Sequence, residues 1–281
     1  MQYIQLSDNQ QIPMLGFGVF QIAPEHTEQA VLDAIKAGYR HIDTAQAYLN
    51  EKEVGQAIAK SGVDRKELFI TTKVWLTNYL DARASIERSL AKLGTDYIDL
   101  VLLHQPFNDT FSAWRDLIAL KTEGKIHAIG VSNFTPSEVA SLGLYSKVMP
   151  QVNQIEVNPF HQRPEQIAQL QEMGITVQAW APFAEGMDDI FNHPVLKGIA
   201  DKYHKTTAQV IERWLIEQNI IVLAKSSRAE RMVENLNIFD FSLNEEDKKH
   251  IRTLDLGQSH IFRHDDPKAV AFLANYEVHG I

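Results

Sequence analysis

Short apolar runs alternate with longer stretches of helical spacing from residue 14 to residue 254. Ahead of them, residues 3–6 and 10–13 flank Asp8-Asn9 and read as a hairpin suited to plug one end of a barrel. Core strands are expected at Met14–Phe17, 40–43, 68–73, 97–103, Ile126–Val131, Val152–Val157, Ile175–Ala181 and Ile220–Leu223. Between them the pattern predicts helices. Pro24–Ala37 has Ala30, Leu32, Ala34 and Ile35 inside and is ended by Gly38. Others span about 50–60, 80–93 (stopped by Gly94) and 110–123 (stopped by Gly124). Another opens at Thr135-Pro136-Ser137-Glu138, with proline in the first turn, and two more cover about 164–173 and 207–218. A last pair takes about 229–238 and 244–254. Eight strand-helix units argue for a closed (β/α)8 TIM barrel rather than an open sheet. The expected architecture is one domain over 1–281, with an N-terminal β-hairpin and two extra helices. The tail beyond Gly257 reads as irregular and is expected to fold over the barrel mouth.

Three consecutive predicted strands end on groups that want water or a partner. The first closes on Asp43, with Tyr48 in the loop that follows; the next two close on Lys73 and His104. In a parallel barrel these ends converge on one mouth, where active sites are built. Taken singly, each has an ordinary explanation: a capping Asp, a solvated Lys, a packed His, a rim Tyr. Their shared position is the signal. A phenol donates poorly at neutral pH unless a nearby cation stabilises the phenolate, and an adjacent ammonium is expected to lower its pKa by roughly 1–3 units. Lys73 is the candidate cation, Asp43 the group that holds it, Tyr48 the general acid and His104 a donor to a carbonyl oxygen. Such a site suits nucleophilic addition to an aldehyde or ketone.

Composition narrows the classes. With 281 residues, 44% hydrophobic and 22% charged, the chain can bury a large core. A net charge of −9 argues against a general affinity for nucleic acid or acidic membranes. There is no cysteine, hence no disulfide or thiolate chemistry. The N-terminus lacks a secretory pattern and no apolar run approaches ~20 residues, so a cytoplasmic protein without a membrane span is expected. The histidines are scattered and suggest no metal site. Gly16-Phe17-Gly18 lacks the third glycine and the following helix of a dinucleotide fingerprint, so no Rossmann domain is expected; its glycines are read as letting the chain turn. Lys225-Ser226-Ser227-Arg228 and Arg231, at the end of the eighth strand and the start of a helix, offer N–H groups, hydroxyls and cations to a phosphate. If that phosphate is the extra one on an adenosine ribose, the cofactor is NADPH.

These motifs make the sequence resemble the aldo-keto reductases, most of all the bacterial diketogluconate-reductase-like and prostaglandin-F-synthase-like branch. The resemblance runs from Met14 to about Gly257. It is carried by Asp43-Thr44-Ala45 with Tyr48, Thr72-Lys73, Leu103-His104 before Pro106, Gly130-Val131-Ser132-Asn133-Phe134, and Gln154-Ile155-Glu156-Val157-Asn158-Pro159. It implies a barrel that binds NADPH without a Rossmann domain, with Tyr48 as acid, Lys73 and Asp43 tuning it and His104 orienting the carbonyl. It further implies that Ser132, Asn133 and Gln154 hold the nicotinamide carboxamide, that Trp180 stacks on the ring, and that Phe183 belongs to the cofactor set. Lys225, Ser226, Ser227, Arg228 and Arg231 would surround the adenosine phosphate, and Glu234 and Asn235 the adenine. Phe20, Trp75, Gln105 and His104 would line the substrate pocket. The sequence departs from the family pattern at Gln105, where Trp is usual, at Ala181, where Ser or Gly is usual, and at Arg228, where Thr or Asn is common. The expected partner is a small carbonyl substrate, and the expected state a monomer. Two other readings stay open at this point: a Schiff-base aldolase or isomerase using Lys73, and a non-catalytic nicotinamide-binding regulatory subunit.

Overall fold

The computed structural model describes residues 1–226, 228–276 and 278. Strands β1 (Tyr3–Gln5) and β2 (Gln11–Pro13) pair antiparallel, Ile4 opposite Ile12. The barrel follows: β3 (Leu15–Gly18), β4 (His41–Asp43), β5 (Phe69–Val74), β6 (Ile98–Leu103), β7 (Ile126–Ser132), β8 (Val152–Glu156), β9 (Thr176–Trp180) and β10 (Ile221–Ala224). All pair in parallel, each with its neighbour in sequence, and β10 closes on β3 through Val222–Leu15 and Ala224–Phe17. The helices are α1 (Pro24–Ala37), α2 (Glu51–Lys60), α3 (Ala82–Leu93), α4 (Thr110–Thr122), α5 (Pro136–Ser146), α6 (Pro164–Glu172), α7 (Pro194–Tyr203), α8 (Thr207–Ile216), α9 (Ala229–Leu236), α10 (Glu245–Arg252) and α11 (Pro267–Ala274). The predicted strand and helix alternation is therefore observed, with ends shifted by a residue or two.

Two elements differ from expectation. Helix α7 was not predicted: it has Gly198 in its interior and only Leu196, Ile199 and Ala200 buried, a weak stripe for its length. Helix α11 lies in the tail read as irregular; eight residues long, it buries only Leu273. Beyond one helix per barrel strand the chain thus adds α7, α10 and α11 rather than two helices. The glycine reading also needs correction. Gly16 and Gly18 lie inside β3 with no left-handed φ, and a Cβ on Gly16 would come within 2.6 Å of Leu223 Cδ2 and 2.7 Å of His41 Nδ1. Close packing, not turning, requires glycine at position 16.

Burial separates into two cores. Between barrel and helices lies a large cluster that includes Phe17, Ile42, Ile70, Val101, Ile129, Trp114 and Leu215. Inside the barrel, toward its base, Phe69, Leu100, Leu102, Ala128, Val152 and Ile221 meet Leu6 and Ile12 from the hairpin segment. The hairpin thus closes the amino-terminal end of the barrel with hydrocarbon, and the opposite end is left for chemistry. One buried group fits neither core. Glu212 on α8 is fully buried, and neither carboxyl oxygen has a hydrogen-bond partner among the described residues. Burial, with the charge of Glu234 adding to it, pushes this carboxyl well above the ordinary carboxylate range. Among the described residues, no helix is long and apolar enough to cross a membrane.

Candidate active site

Asp43 ends β4, Lys73 sits one residue short of the end of β5, and His104 follows β6 directly. Barrel closure brings them together with Tyr48. Lys73 Nζ donates to Asp43 Oδ1 at 2.6 Å, to the Thr44 carbonyl at 2.9 Å and to Tyr48 Oη at 3.1 Å. Lys73 is fully buried, Asp43 is 2% exposed and His104 8%, so the ion pair is shielded from water. The His104 ring meets the Tyr48 ring edge-on at 5.7 Å.

Local chemistry fixes the Tyr48 loop from both sides. Gln46, buried within the single 3₁₀ turn Gln46–Tyr48, donates to Ser85 Oγ and Ser89 Oγ and accepts from Trp75 N and Asn78 Nδ2. Asn50 donates to the Val19 and Ile22 carbonyls and accepts from Thr44 Oγ1. The phenol is thus aimed by two buried amides rather than by a mobile loop. His104 is steadied through its neighbour: the Tyr79 hydroxyl donates to the Gln105 carbonyl at 2.6 Å and accepts from the Gln105 N–H at 2.9 Å. For Gln46 and Asn50 the sequence offers only an amide after a strand end, a common sign, and for Tyr79 it offers none.

The electrostatics run partly against expectation. Burial raises the Tyr48 phenol; Lys73 pulls it down, Asp43 opposes that pull, and the net position is above 10. The anticipated lowering is therefore not found, because loss of water outweighs the nearby ammonium. Burial alone would lower Lys73, but Asp43 and Tyr48 outweigh it, and the ammonium is held above its ordinary value. Burial, then Lys73 and His264, hold His104 well below 6.5, so its imidazole is neutral. The arrangement is a proton-bearing phenol touching a permanent cation, beside a neutral imidazole. Those are the parts of an acid that can lose its proton to a developing alkoxide.

The residues expected around a nicotinamide also converge. Ser132 ends β7, Asn133 follows it at φ 67, Gln154 lies in β8 and Trp180 ends β9. Trp180 Nε1 donates to Asn133 Oδ1 at 2.9 Å, Asn133 Nδ2 donates to the His104 carbonyl and to Ser132 Oγ at 3.1 Å each, and Ser132 Oγ donates to the Gln154 carbonyl. Gln154 Nε2 donates to Asp43 Oδ2 at 2.9 Å, which joins this group to the ion pair. Phe183 lies farther along, half-buried against Phe191. Phe20, 48% exposed, leans on Tyr48 at 5.0 Å, and buried Trp75 meets His104 at 5.1 Å. Gln105, 7% exposed, sits beside Asn133. From the tail, Tyr276 packs on Trp75 at 5.8 Å, while Ser259 Oγ donates to Glu156 Oε2 at 2.5 Å and His260 pairs with Asp188 at 2.9 Å. The tail is thus folded onto the mouth-end loops, as expected.

The phosphate-loop candidates are looser. Lys225, Arg228 and Arg231 are exposed, and among the described residues Lys225 Nζ reaches only the Gln21 carbonyl, at 3.4 Å. Ser226 Oγ accepts from the Arg228 N–H at 3.1 Å, Glu234 accepts from Thr206, and Asn235 is buried. Arg228 and Arg231 form no ion pair with any described residue. Ser227 lies outside the described residues.

Comparison with known proteins gives the family. A family model described as the aldo/keto reductase family matches residues 14–256. The chain belongs to that family. Among aldo-keto reductases it is 42% identical over 263 residues to one from Mycolicibacterium smegmatis, spanning 91% of this chain and 94% of that protein. It is 39% identical over 258 residues to the methylglyoxal reductase DkgA of Escherichia coli K12, covering 91% and 94% of the two chains. A solved aldo-keto reductase of Bombyx mori in complex with NADP superposes with a TM-score of 0.89 at 33% identity, covering 99% and 98%. One from Brucella melitensis gives 0.87 at 43% identity, covering 90% and 98%. As an aldo-keto reductase, the chain is of a family of oxidoreductases that reduce carbonyl compounds.

Proposed function

We propose that this aldo-keto reductase uses NADPH to reduce aldehydes or ketones to alcohols, with Tyr48 as the general acid. The observation that carries the proposal is the Lys73 ammonium bonded at once to Asp43 Oδ1 and Tyr48 Oη. The chain's residues fit the cofactor. Arg228 and Arg231 stand without an anionic partner among the described residues beside the amino end of α9, where a ribose phosphate would be met by charge. Asn133, Ser132 and Gln154 bring amide and hydroxyl groups together beside the indole N–H of Trp180, the polar set that a carboxamide-bearing ring would meet. When bound, NADPH supplies the hydride that adds to the carbonyl carbon.

The rest is the work of the side chains. His104, being neutral, gives a hydrogen bond to the carbonyl oxygen without adding a full charge to the pocket. Tyr48 gives that oxygen its proton. The phenolate left behind lies 3.1 Å from Lys73 Nζ; because Asp43 already offsets that ammonium, the three groups then carry one net negative charge, which the contact of Oη with Nζ stabilises in the buried site. Phe20 and Trp75 form apolar walls, and Gln105 leaves one side polar. A Schiff-base role for Lys73 would need its free amine; its ammonium is instead held charged by Asp43.

The test is a panel of carbonyl compounds, small dicarbonyls first given the likeness to proteins named methylglyoxal reductase, followed by loss of reduced-nicotinamide absorbance with NADPH and with NADH. Tyr48→Phe should abolish turnover while leaving the NADPH Kd within about twofold. Equal activity in the two proteins would refute the role given to Tyr48. Binding of NADPH by the wild type with no turnover on any carbonyl would refute the enzyme reading.

A further inference from the structure

Gln178 occupies the middle of β9, in register with Gln154 on β8 and with Ile221 on β10, and is fully buried. Its Oε1 accepts from Gln154 Nε2 at 2.9 Å. The same nitrogen donates to Asp43 Oδ2 at 2.9 Å. A carboxylate only accepts, so the nitrogen end of Gln154 has to face Asp43. Its two hydrogens then go one to Asp43 and one to Gln178, and the orientation of both amides follows from the charge on Asp43. A chain of hydrogen bonds results, Gln178–Gln154–Asp43–Lys73–Tyr48, with lengths of 2.9, 2.9, 2.6 and 3.1 Å. The arrangement leaves Gln154 Oε1 without a hydrogen bond to any described residue, while Gln178 Nε2 is buried and unpartnered. A buried amide that leaves a donor unbonded costs stability. An apolar side chain would pack there without that cost, so packing does not account for glutamine at 178.

We infer that Gln178 is a positioning residue of the reductase site. It locks the Gln154 amide so that its nitrogen braces Asp43 and its oxygen is left to accept from the nicotinamide carboxamide. This rests on the NADPH reading given above. Gln178 touches neither cofactor nor substrate; it acts through Gln154.

The experiment uses Gln178→Met, which keeps the volume and removes the acceptor, and Gln178→Glu, which restores an oxygen to Gln154. NADPH binding is measured beside binding of 2′,5′-ADP, which carries the adenosine phosphate but no nicotinamide. Loss of one oriented hydrogen bond should weaken NADPH about five- to tenfold in Gln178→Met. The Kd for 2′,5′-ADP should stay within about twofold, and Tm should stay close to wild type, because the unbonded Gln178 donor is gone while one Gln154 hydrogen loses its acceptor. Gln178→Glu should recover most of the NADPH affinity. Equal weakening of both ligands, or a lowered Tm with no ligand difference, would reduce Gln178 to a structural residue and overturn the inference. So would wild-type NADPH affinity in Gln178→Met, with the reductase reading left standing. A wild-type protein that binds no NADPH would instead bring down the cofactor reading, and this inference with it. Should Gln178→Met not fold, the same comparison is made with Gln178→Leu.

Discussion

The barrel mouth and the loop after β10 are both built at carboxyl ends of strands, yet they are held in opposite ways. At the mouth, Asp43, Lys73 and Gln154 are almost wholly buried, and their bonds to one another run between 2.6 and 2.9 Å. In the loop, Lys225, Arg228 and Arg231 are exposed, and among the described residues the one side-chain bond from these cations is 3.4 Å long. The difference teaches where each kind of recognition comes from. Proton transfer needs donors fixed before substrate arrives, because reorganising them during reaction would raise the barrier. Holding a phosphate needs only uncommitted positive charge, which the anion itself can order on arrival.

That contrast can be broken at its strong end first. Lys73→Met should lower kcat/KM about a thousandfold, since it removes the cation beside Tyr48 and strands Asp43. Steady-state kinetics within tenfold of wild type would mean that the buried pair serves folding alone. Next, Arg231→Ala should weaken NADPH about tenfold or more and NADH by less than twofold, as expected for loss of one charged hydrogen bond to the ribose phosphate. An unchanged cofactor preference in fluorescence titrations would remove the phosphate role from this arginine. Gln105→Trp should change the ratio of kcat/KM between a bulky aromatic aldehyde and a small one by a few fold. No change would put position 105 outside the pocket. The smallest expected effect is that of pH. With Tyr48 as the proposed acid, reduction would require its phenol protonated, and burial holds that phenol above its ordinary value of 10, so the proton is present throughout the neutral range. His104, held well below 6.5, stays uncharged there. The kcat for reduction should therefore vary less than about twofold between roughly pH 7 and 9. An alkaline fall beginning below pH 9 would show Lys73 outweighing burial after all.

Much of the frame can be read from the residues, because strands buried on both faces are mostly apolar and the charged groups at their ends stand out. Asp43, Lys73 and His104 announce themselves in that way, and the comma of glycines at Gly38, Gly94 and Gly124 marks where helices stop. What escapes is whatever depends on neighbours distant along the chain. The bond between Gln154 and Asp43 joins residues 111 apart, and that between Trp180 and Asn133 residues 47 apart, so neither leaves a local trace. The direction of the Tyr48 shift is hidden for a related reason: spacing suggests a cation close by, but how much water is removed is a property of the assembled barrel. Helices α7 and α11 escape because short helices with few buried residues draw their stability from docking rather than from pattern.

The unpartnered acid on α8 leads somewhere quite different from catalysis. Folded, the chain clings to a proton at Glu212 that the unfolded chain surrenders near the usual carboxylate pKa, 4.5. In acid below that value both forms hold it and nothing changes; above it, every step toward alkali favours the unfolded form, until the raised folded pKa is passed. Heat resistance should therefore decline on the basic side faster than in a Glu212→Leu chain, and the gap between the two melting temperatures should widen from pH 4 to pH 8. One carboxyl with no role at the mouth would then set how alkaline a medium the whole barrel endures.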